Sequence, residues 1–436
     1  MLFLTIAAKD FDLLKKHIIA YENQVDGFEI RWDTGLDLQL AHQVRSFSQK
    51  PMIFTYRTEN QGGMAKSVDW EILRKLATAN PKYLDFEYHW PDIWLQKLKS
   101  QFPNILIIAS YHDFSGVPQN LPSMPSGDIL KIAGFCHDAM DALKLLELLK
   151  QSKKPMIVVG MGQAAQWTRV IAKSFGSVIS YTCLPHIPMA PGQLDVISMN
   201  EIYRYREIDA DTTYYALIGE PIEHSIGHIY HNNAFQAAGI HARYLKIELQ
   251  ASLLAFFLEK IKSWSFKGLS VTMPLKIKVK DYCQHLESWP SINTLYLQHD
   301  QWIGDNTDAQ GAWDALKPYL FKRVLILGAG GVGKALTYFF KKKNIQVDIY
   351  HWRKIDGQEI LTDMDEWPKV DILINTIPDL SQDLIKRIEL LKPLVIMDLV
   401  YPNSPLEKLR IPFISGQKMF ECQAGLQQQI WRSYSI

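Results

Sequence analysis

The chain places ionisable side chains where a buried strand should be dry. Lys131 sits inside the run Ile129-Leu130-Lys131-Ile132-Ala133. A lysine in such surroundings loses solvation, so its amine is more often neutral and can attack a ketone. His112, near the end of the run before it, has the chemistry to move protons. Arg31 lies near the end of one further apolar run and Arg57 ends another, and an arginine can grip a carboxylate through two parallel hydrogen bonds. Glu29 and Arg31, two apart on one strand, share a face, as do Asp85 and Glu87. Each residue has a quieter reading. Glu29 with Arg31 reads as a structural ion pair, His112 as a satisfied core histidine, and Lys131 as a side chain reaching for the rim. Charged groups at one end of five strands do not read as packing, because burying each unpaired costs on the order of several kcal/mol. Together they point to Schiff-base chemistry on a small keto acid.

A second constellation lies far along the chain. Gly328-Ala329-Gly330-Gly331-Val332-Gly333 follows the apolar strand Arg323–Leu327 and opens a helical pattern at Lys334–Lys343. Gly328, Gly330, Gly331, Val332 and Gly333 in this context form a loop on which a dinucleotide pyrophosphate can rest at a helix N-terminus. Gly328 to Lys334 also fits the glycine–lysine spacing of a P-loop, but Ala335 follows and offers no hydroxyl to magnesium. An NAD site would place an acid ~20 residues on. His351-Trp352-Arg353-Lys354 stands there instead. Arg353 and Lys354 suit a 2′-phosphate, so NADP is the expected cofactor, and Trp352 can stack on adenine. The quieter reading of Arg353 and Lys354 is a solvated basic turn.

These residues need elements to hold them. Strand-like runs at Leu2–Ala8, Gly27–Asp33, Pro51–Arg57, Tyr83–Trp90, Ile105–Asp113, Ile129–Phe135, Met156–Gly162 and Ser177–Leu184 alternate with helical patterns such as Asp12–Tyr21, Val68–Ala79, Ala139–Leu149 and Gln163–Ser174. Eight strands so spaced predict a (β/α)8 barrel, whose active site lies at the C-terminal ends of its strands. Pro118, Pro122 and Pro125 make the fifth helix short or missing. The polar stretch from Tyr205 to Thr213 reads as a linker. Strands Tyr214–Gly219, Arg243–Leu249 and Gly268–Met273 follow, with helical patterns at Tyr230–Ala238 and Ser252–Ser263. A hairpin at 294–304 turns at His299-Asp300. After the glycine loop, strands Gln346–Tyr350, Asp371–Asn375 and Leu394–Leu399 predict a doubly wound nucleotide-binding sheet. The fold class is α/β: a barrel over 1–205, a linker at 206–213, an α/β substrate domain at 214–311 and 415–436, and a Rossmann domain at 312–414.

Composition narrows the function. The chain has 436 residues, 47% of them hydrophobic and 21% charged, with a formal net charge of +1. That is a chain of globular character, without the basic field that nucleic acid attracts. Four separated cysteines form no Cys-x-x-Cys pair, so the reading is a reducing compartment with no zinc site. No apolar stretch approaches the ~20 residues of a membrane span, and the N-terminus lacks a basic leader. The expected location is the cytoplasm, with a plastid open if a transit peptide has been removed. The oligomeric state, monomer or homodimer, is left open.

The barrel half resembles type I 3-dehydroquinate dehydratases over nearly all of residues 1–205. The resemblance rests on Phe28-Glu29-Ile30-Arg31-Trp32-Asp33, Phe54-Thr55-Tyr56-Arg57, Asp85-Phe86-Glu87, Ser110-Tyr111-His112-Asp113-Phe114, Lys131-Ile132-Ala133, Phe175-Gly176-Ser177 and Ala190-Pro191-Gly192-Gln193. It implies that Lys131 forms the imine and His112 moves the protons. It also implies that Glu29, Arg31, Arg57, Arg169 and Gln193 bind substrate hydroxyls and carboxylate. Two positions depart from the family. Gln61 stands where many bacterial members have glutamate before Gly62-Gly63, and Met189 where many have serine.

From about Tyr214 onward the chain resembles shikimate dehydrogenases. The matching segments are 218–225, Val271-Thr272-Met273-Pro274-Leu275-Lys276, Ile292-Asn293-Thr294, Asn306-Thr307-Asp308, Gly328–Gly333, Ile374-Asn375-Thr376, 398–402 and 416–423. The resemblance implies that Lys276 and Asp308 are the catalytic pair, and that Ser225, Thr272, Asn293 and Gln423 bind shikimate. Gly227 replaces the second serine of the usual Ser-x-Ser, and Ser270 the usual asparagine before Val-Thr. The expectation is a bifunctional shikimate-pathway enzyme that acts on small molecules only. It dehydrates 3-dehydroquinate and reduces the product with NADPH. The alternatives are a quinate/shikimate dehydrogenase and a non-catalytic quinate sensor on the same domains.

Overall fold

The computed structural model describes residues 1–353, 360–400 and 402–434. It divides into two compact units, Met1–Thr212 with His241–Leu249, and Thr213–Ile240 with Gln250–Ile436.

In the first unit eight strands form one parallel sheet: β1 (Leu2–Ile6), β2 (Gly27–Arg31), β3 (Met52–Thr55), β4 (Tyr83–Glu87), β5 (Leu106–Asp113), β6 (Ile129–Phe135), β7 (Met156–Met161) and β8 (Ser180–Thr182). Their order, β7-β6-β5-β4-β3-β2-β1-β8, runs around a barrel. Beside the β7–β8 seam, Val178 N donates to Met156 O at 3.1 Å. Side chains alternate in and out along each strand, so residues two apart lie in successive interior layers. The lower layer is apolar apart from its tyrosine hydroxyls: Phe3, Ile53, Tyr83, Ile108, Ile129, Ile157 and Tyr181 pack as one cluster. Two residues further along six of the strands the interior turns polar, with Thr5, Glu29, Thr55, Asp85, Ser110 and Lys131 all buried. This abrupt change from oil to charge builds a site rather than a core.

The Pro-containing stretch between β5 and β6 holds no helix, as expected. The pattern at Gln163–Ser174 gives less than a full helix, a 3-10 turn at Gln163–Ala165 and one α-turn at Thr168–Ile171. All four residues of that α-turn are buried, so it lacks the exposed face of an amphipathic helix. The expected linker is not a free tether: Tyr205 and Thr212 are fully buried, and Ile208 nearly so. The strand β10 (Ala242–Glu248) groups with this unit.

The second unit holds two sheets. In the first, β9 (Thr213–Gly219), β11 (Phe266–Val271), β12 (Gln284–His285), β13 (Thr294–Gln298) and β14 (Gln301–Asp305) follow the order β9-β11-β13-β14-β12. The β13–β14 hairpin turns at His299 and Asp300, both with positive φ (46° and 62°), as a type I′ turn requires. The second sheet is fully parallel, with order β16-β15-β17-β18-β19, from β15 (Arg323–Leu327), β16 (Gln346–Tyr350), β17 (Ile372–Asn375), β18 (Val395–Asp398) and β19 (Phe413–Ser415). The helix Gly416–Tyr434 then returns to the first sheet. There Trp431, fully buried, donates from Nε1 to Leu295 O at 3.0 Å. Among the described residues no helix is long and apolar enough to cross a membrane.

Candidate active sites

Lys131 stands in the polar layer of the barrel, 4% exposed. Its Nζ lies 3.3 Å from Asp85 Oδ2 and 3.7 Å from Glu29 Oε1. Burial lowers its pKa below the usual 10.5, against the upward pull of Asp85 and Glu29. Glu29 is fixed by hydroxyl donors, Thr5 at 2.8 Å and Thr55 at 2.9 Å. It does not form the ion pair with Arg31 that the strand spacing allowed. Arg31 instead makes a two-bond pair with Asp33, both contacts at 2.8 Å, because the 3-10 turn at Trp32–Thr34 brings Asp33 back beneath the guanidinium.

Arg57 is the hub of the layer above. It donates to Asp85 at 2.7 Å, Ser110 at 3.1 Å and His112 Nδ1 at 2.8 Å, and Glu87 lies 3.7 Å from its Nε. Burial pushes the Asp85 carboxyl up, but Arg57 and Lys131 outweigh it and hold it below its usual range. Burial keeps His112 neutral far below pH 6.5, reinforced by Arg57, Lys131 and Arg31. An arginine can only donate, so the neutral ring accepts at Nδ1 and carries its proton on Nε2. Gln61, the glutamate-to-glutamine departure, accepts from the His112 backbone N–H at 2.9 Å and leaves the ring to Arg57.

A cavity of about 250 Å³ opens above Lys131, and Arg31, Arg169, Tyr181, Met189 and Gln193 are among its walls. Arg169 is 4% exposed and its Nε lacks a hydrogen-bond partner. Burial brings its pKa down to about 10, so the residue is a cation in want of an anion. Gln193 Oε1 accepts from Met189 N at 2.8 Å, which ties the departing methionine into the same loop. All seven barrel residues read from the sequence, Glu29, Arg31, Arg57, His112, Lys131, Arg169 and Gln193, therefore line one cavity.

In the second unit Lys276 Nζ meets Asp308 Oδ2 at 2.6 Å. Asn293 Nδ2 donates to Asp308 Oδ1 at 2.9 Å and to Gln423 Oε1 at 3.2 Å. The return of helix Gly416–Tyr434 thus joins residues 130 apart in the chain. Thr272 closes the turn that carries Lys276, its carbonyl accepting from Leu275 N at 2.9 Å. Ser225 stands apart: its Oγ accepts from Gly227 N at 3.2 Å, and among the described residues no hydrogen bond joins it to the lysine cluster. Ser270 is turned inward, donating to Gln427 Oε1 at 2.8 Å. Sequence reading passed over Thr307 and Gln427. Thr307 bonds Asn293 and Gln423, at 2.9 and 3.1 Å, and its place in Asn306-Thr307-Asp308 was the available signal.

The glycine loop fits a dinucleotide. Gly328 has φ 102°, and a Cβ on it would fall 2.3 Å from Thr376 Oγ1. A Cβ on Gly333 would fall 2.2 Å from Gly328 O, whereas one on Gly330 would meet open space. The helix Gly331–Lys342 starts at Gly330 with no side chain capping it, which leaves backbone N–H groups for phosphate oxygens. Val332 lies in the first turn of that helix. Ser291 Oγ donates to Gly331 O at 2.6 Å, and a Cβ on Gly331 would sit 3.3 Å from Lys276 Cβ, so the loop adjoins the Lys276–Asp308 pair. Trp352 is 57% exposed and stacks on His351 at 4.1 Å. Arg353 is exposed beside it. Lys354 lies outside the described residues.

Both halves of the chain resemble known proteins. Residues 2–210 match the family model of type I 3-dehydroquinase, and residues 217–291 match that of the shikimate dehydrogenase substrate binding domain. The chain is 28% identical to the "Shikimate biosynthesis protein AroDE" of Chlamydia pneumoniae, over 99% of this chain and 95% of that protein. It is 27% identical to the chloroplastic bifunctional 3-dehydroquinate dehydratase/shikimate dehydrogenase of Arabidopsis thaliana, over 94% of this chain and 78% of that one. Among solved structures, the dehydroquinate dehydratase and shikimate dehydrogenase part of S. pombe AroM covers 99% of this chain and 95% of its own, at 22% identity and a TM-score of 0.42. The chain is thus similar, over residues 2–210, to the type I 3-dehydroquinases and, directly after them, over residues 217–291, to the substrate binding domain of shikimate dehydrogenases.

Proposed function

We infer that this chain carries out two consecutive reactions, dehydration of 3-dehydroquinate to 3-dehydroshikimate and reduction of that product to shikimate with NADPH. The observation that carries this reading is a buried lysine with a lowered pKa, facing one cavity with a neutral histidine and an unpartnered arginine.

In the first reaction Lys131, as free amine, attacks the substrate ketone and loses water to form the imine. Glu29, Arg31, Arg57, Arg169 and Gln193, which line the same cavity, take the substrate hydroxyls and carboxylate. Arg57 cannot serve His112 and the substrate through one N–H. When it turns to the substrate, Nδ1 of His112 is released to accept the proton from the carbon beside the imine. The same group then returns that proton to the departing hydroxyl, and water hydrolyses the product imine to release 3-dehydroshikimate and restore the Lys131 amine.

In the second reaction NADPH, when bound, supplies the hydride. Gly328, Gly330, Gly331, Val332 and Gly333 seat the pyrophosphate, Arg353 and Lys354 take the 2′-phosphate, and Trp352 covers the adenine. Lys276 donates a proton to the developing alkoxide, held in place by Asp308. Ser225, Thr272, Asn293 and Gln423 orient the acid and its hydroxyls. The working division places the shikimate-binding domain at 214–311 and 415–436 and the NADP domain at 312–414, behind a junction at 206–213. Four free cysteines fit a reducing cytoplasm. The near-neutral charge gives no reason to invoke a nucleic-acid or membrane partner.

The test is to add 3-dehydroquinate and NADPH to the purified chain and follow NADPH absorbance. Consumption with shikimate as product is expected. Lys131→Ala should cut the dehydration by roughly 10⁴-fold or more while leaving shikimate oxidation intact, and Lys276→Ala should do the reverse. Consumption only with 3-dehydroshikimate would withdraw the first activity, and none with either substrate would withdraw the second.

A further inference from the structure

The floor of the barrel cavity holds a polar group that none of the roles above uses. Tyr181 pairs in register with Phe3, so its backbone belongs to the apolar layer. Its ring reaches the polar layer, where Lys131 Nζ lies 4.3 Å from the ring centroid. The side chain lines the same cavity as Lys131, Arg169 and Gln193. Its hydroxyl is buried and has no hydrogen-bond partner among the described residues. Nearby acceptors are already committed. Glu29 takes Thr5 and Thr55, and Asp85 takes Ser110, Arg57 and Lys131. An unmade bond on a buried hydroxyl costs about 1–3 kcal/mol, and a fold keeps such a group most readily where a ligand completes it. Burial pushes its pKa well above 10, with Glu29 and Asp85 adding to the rise, so it remains a donor at any working pH.

We propose that Tyr181 is a substrate-binding residue of the dehydratase site, its hydroxyl donating to an oxygen of the bound keto acid while its ring lies against the Lys131 nitrogen. This rests on the dehydratase reading. The ring face attracts a cation, so it favours the ammonium of the free enzyme and the iminium that replaces it. Substrate therefore supplies the hydroxyl's missing partner at the step that puts a lasting positive charge over the ring.

Tyr181→Phe separates the hydroxyl from the ring. The KM for 3-dehydroquinate should rise about tenfold, the factor expected for one lost hydrogen bond to substrate. The melting temperature without substrate should hold or rise, because an unsatisfied hydroxyl has gone. Borohydride should still trap substrate on Lys131 at saturation. An unchanged KM overturns the proposal. So does a raised KM with a lowered melting temperature, which would mark a packing role. Trapping on the unsubstituted chain is the control: if it fails, the dehydratase reading itself falls, whatever Tyr181 does.

Discussion

The charge on Lys131 is set by surroundings that pull in opposite directions. Burial favours the neutral amine, whereas Asp85 at 3.3 Å and Glu29 at 3.7 Å favour the ammonium. The balance leaves the pKa below 10.5, so dehydration should slow as pH falls through that lowered value and the amine is protonated. His112 adds no limb above pH 6.5, since burial and three neighbouring cations keep it neutral there. Asp85→Asn removes the nearer carboxylate and with it the largest upward pull on Lys131. The lysine limb in kcat/KM for dehydration should then move to lower pH, by roughly one unit or more, the shift of a close charge pair. Dehydration itself weakens, because Arg57 loses its 2.7 Å partner. A pH profile over the dehydration rate reads both effects. An unmoved limb would mean that Asp85 does not set the charge of Lys131.

At the scale of the element, the Gly331–Lys342 helix must come close to the end of β15, and Gly333 is what lets it. A methyl there would overlap a backbone carbonyl that cannot rotate away, 2.2 Å distant. Gly333→Ala should weaken NADPH binding about tenfold or more, ~1.4 kcal/mol, while dehydration continues unchanged. Quenching of tryptophan fluorescence by NADPH measures it, and an unaltered affinity would remove the loop from the cofactor site. That element was legible because glycine spacing after an apolar strand has few meanings. The barrel strands were legible for a related reason, charges recurring at one end of apolar runs. The helix Gly416–Tyr434 was not, because its buried face carries Gln423, Gln427 and Gln428 beside Met419, Ala424 and Trp431. Those glutamines hold Asn293, Thr294, Ser270 and His231, and a polar face that is buried mutes the helical hydrophobic period. The Arg31–Asp33 pair was hidden differently: a strand pattern continued to Asp33 puts both side chains on one face without showing the turn that joins them.

At the scale of the whole molecule, the stretch from Tyr203 to Thr212 decides whether the chain is two proteins on a string. Polar composition suggested a tether, yet it is fastened. Arg243, 1% exposed, donates to the carbonyls of Tyr203 and Arg204, the latter at 3.1 Å, and to Glu207 at 3.0 Å. Lys173 donates to the carbonyls of Tyr205 and Arg206 at 3.1 and 2.8 Å. His241 meets Asp209 at 2.8 Å, but both side chains are exposed, so that pair contributes little. The strand that carries Arg243 comes from beyond the junction, and a cut after Thr212 would separate it from its partners. Produced as residues 1–212 and 213–436, the pieces should each unfold more easily than the intact chain. The loss should be about 1–3 kcal/mol, that of charge-assisted hydrogen bonds, and mixing the two should recover part of it by mass action. The first piece keeps every barrel residue from Glu29 to Gln193 and should still dehydrate 3-dehydroquinate. Denaturant titration of pieces, mixture and whole chain distinguishes the cases: pieces as stable as the intact chain would show the junction to be a passive link. A loss confined to the pieces and relieved on mixing would show that it binds the first unit to its own late-arriving strand.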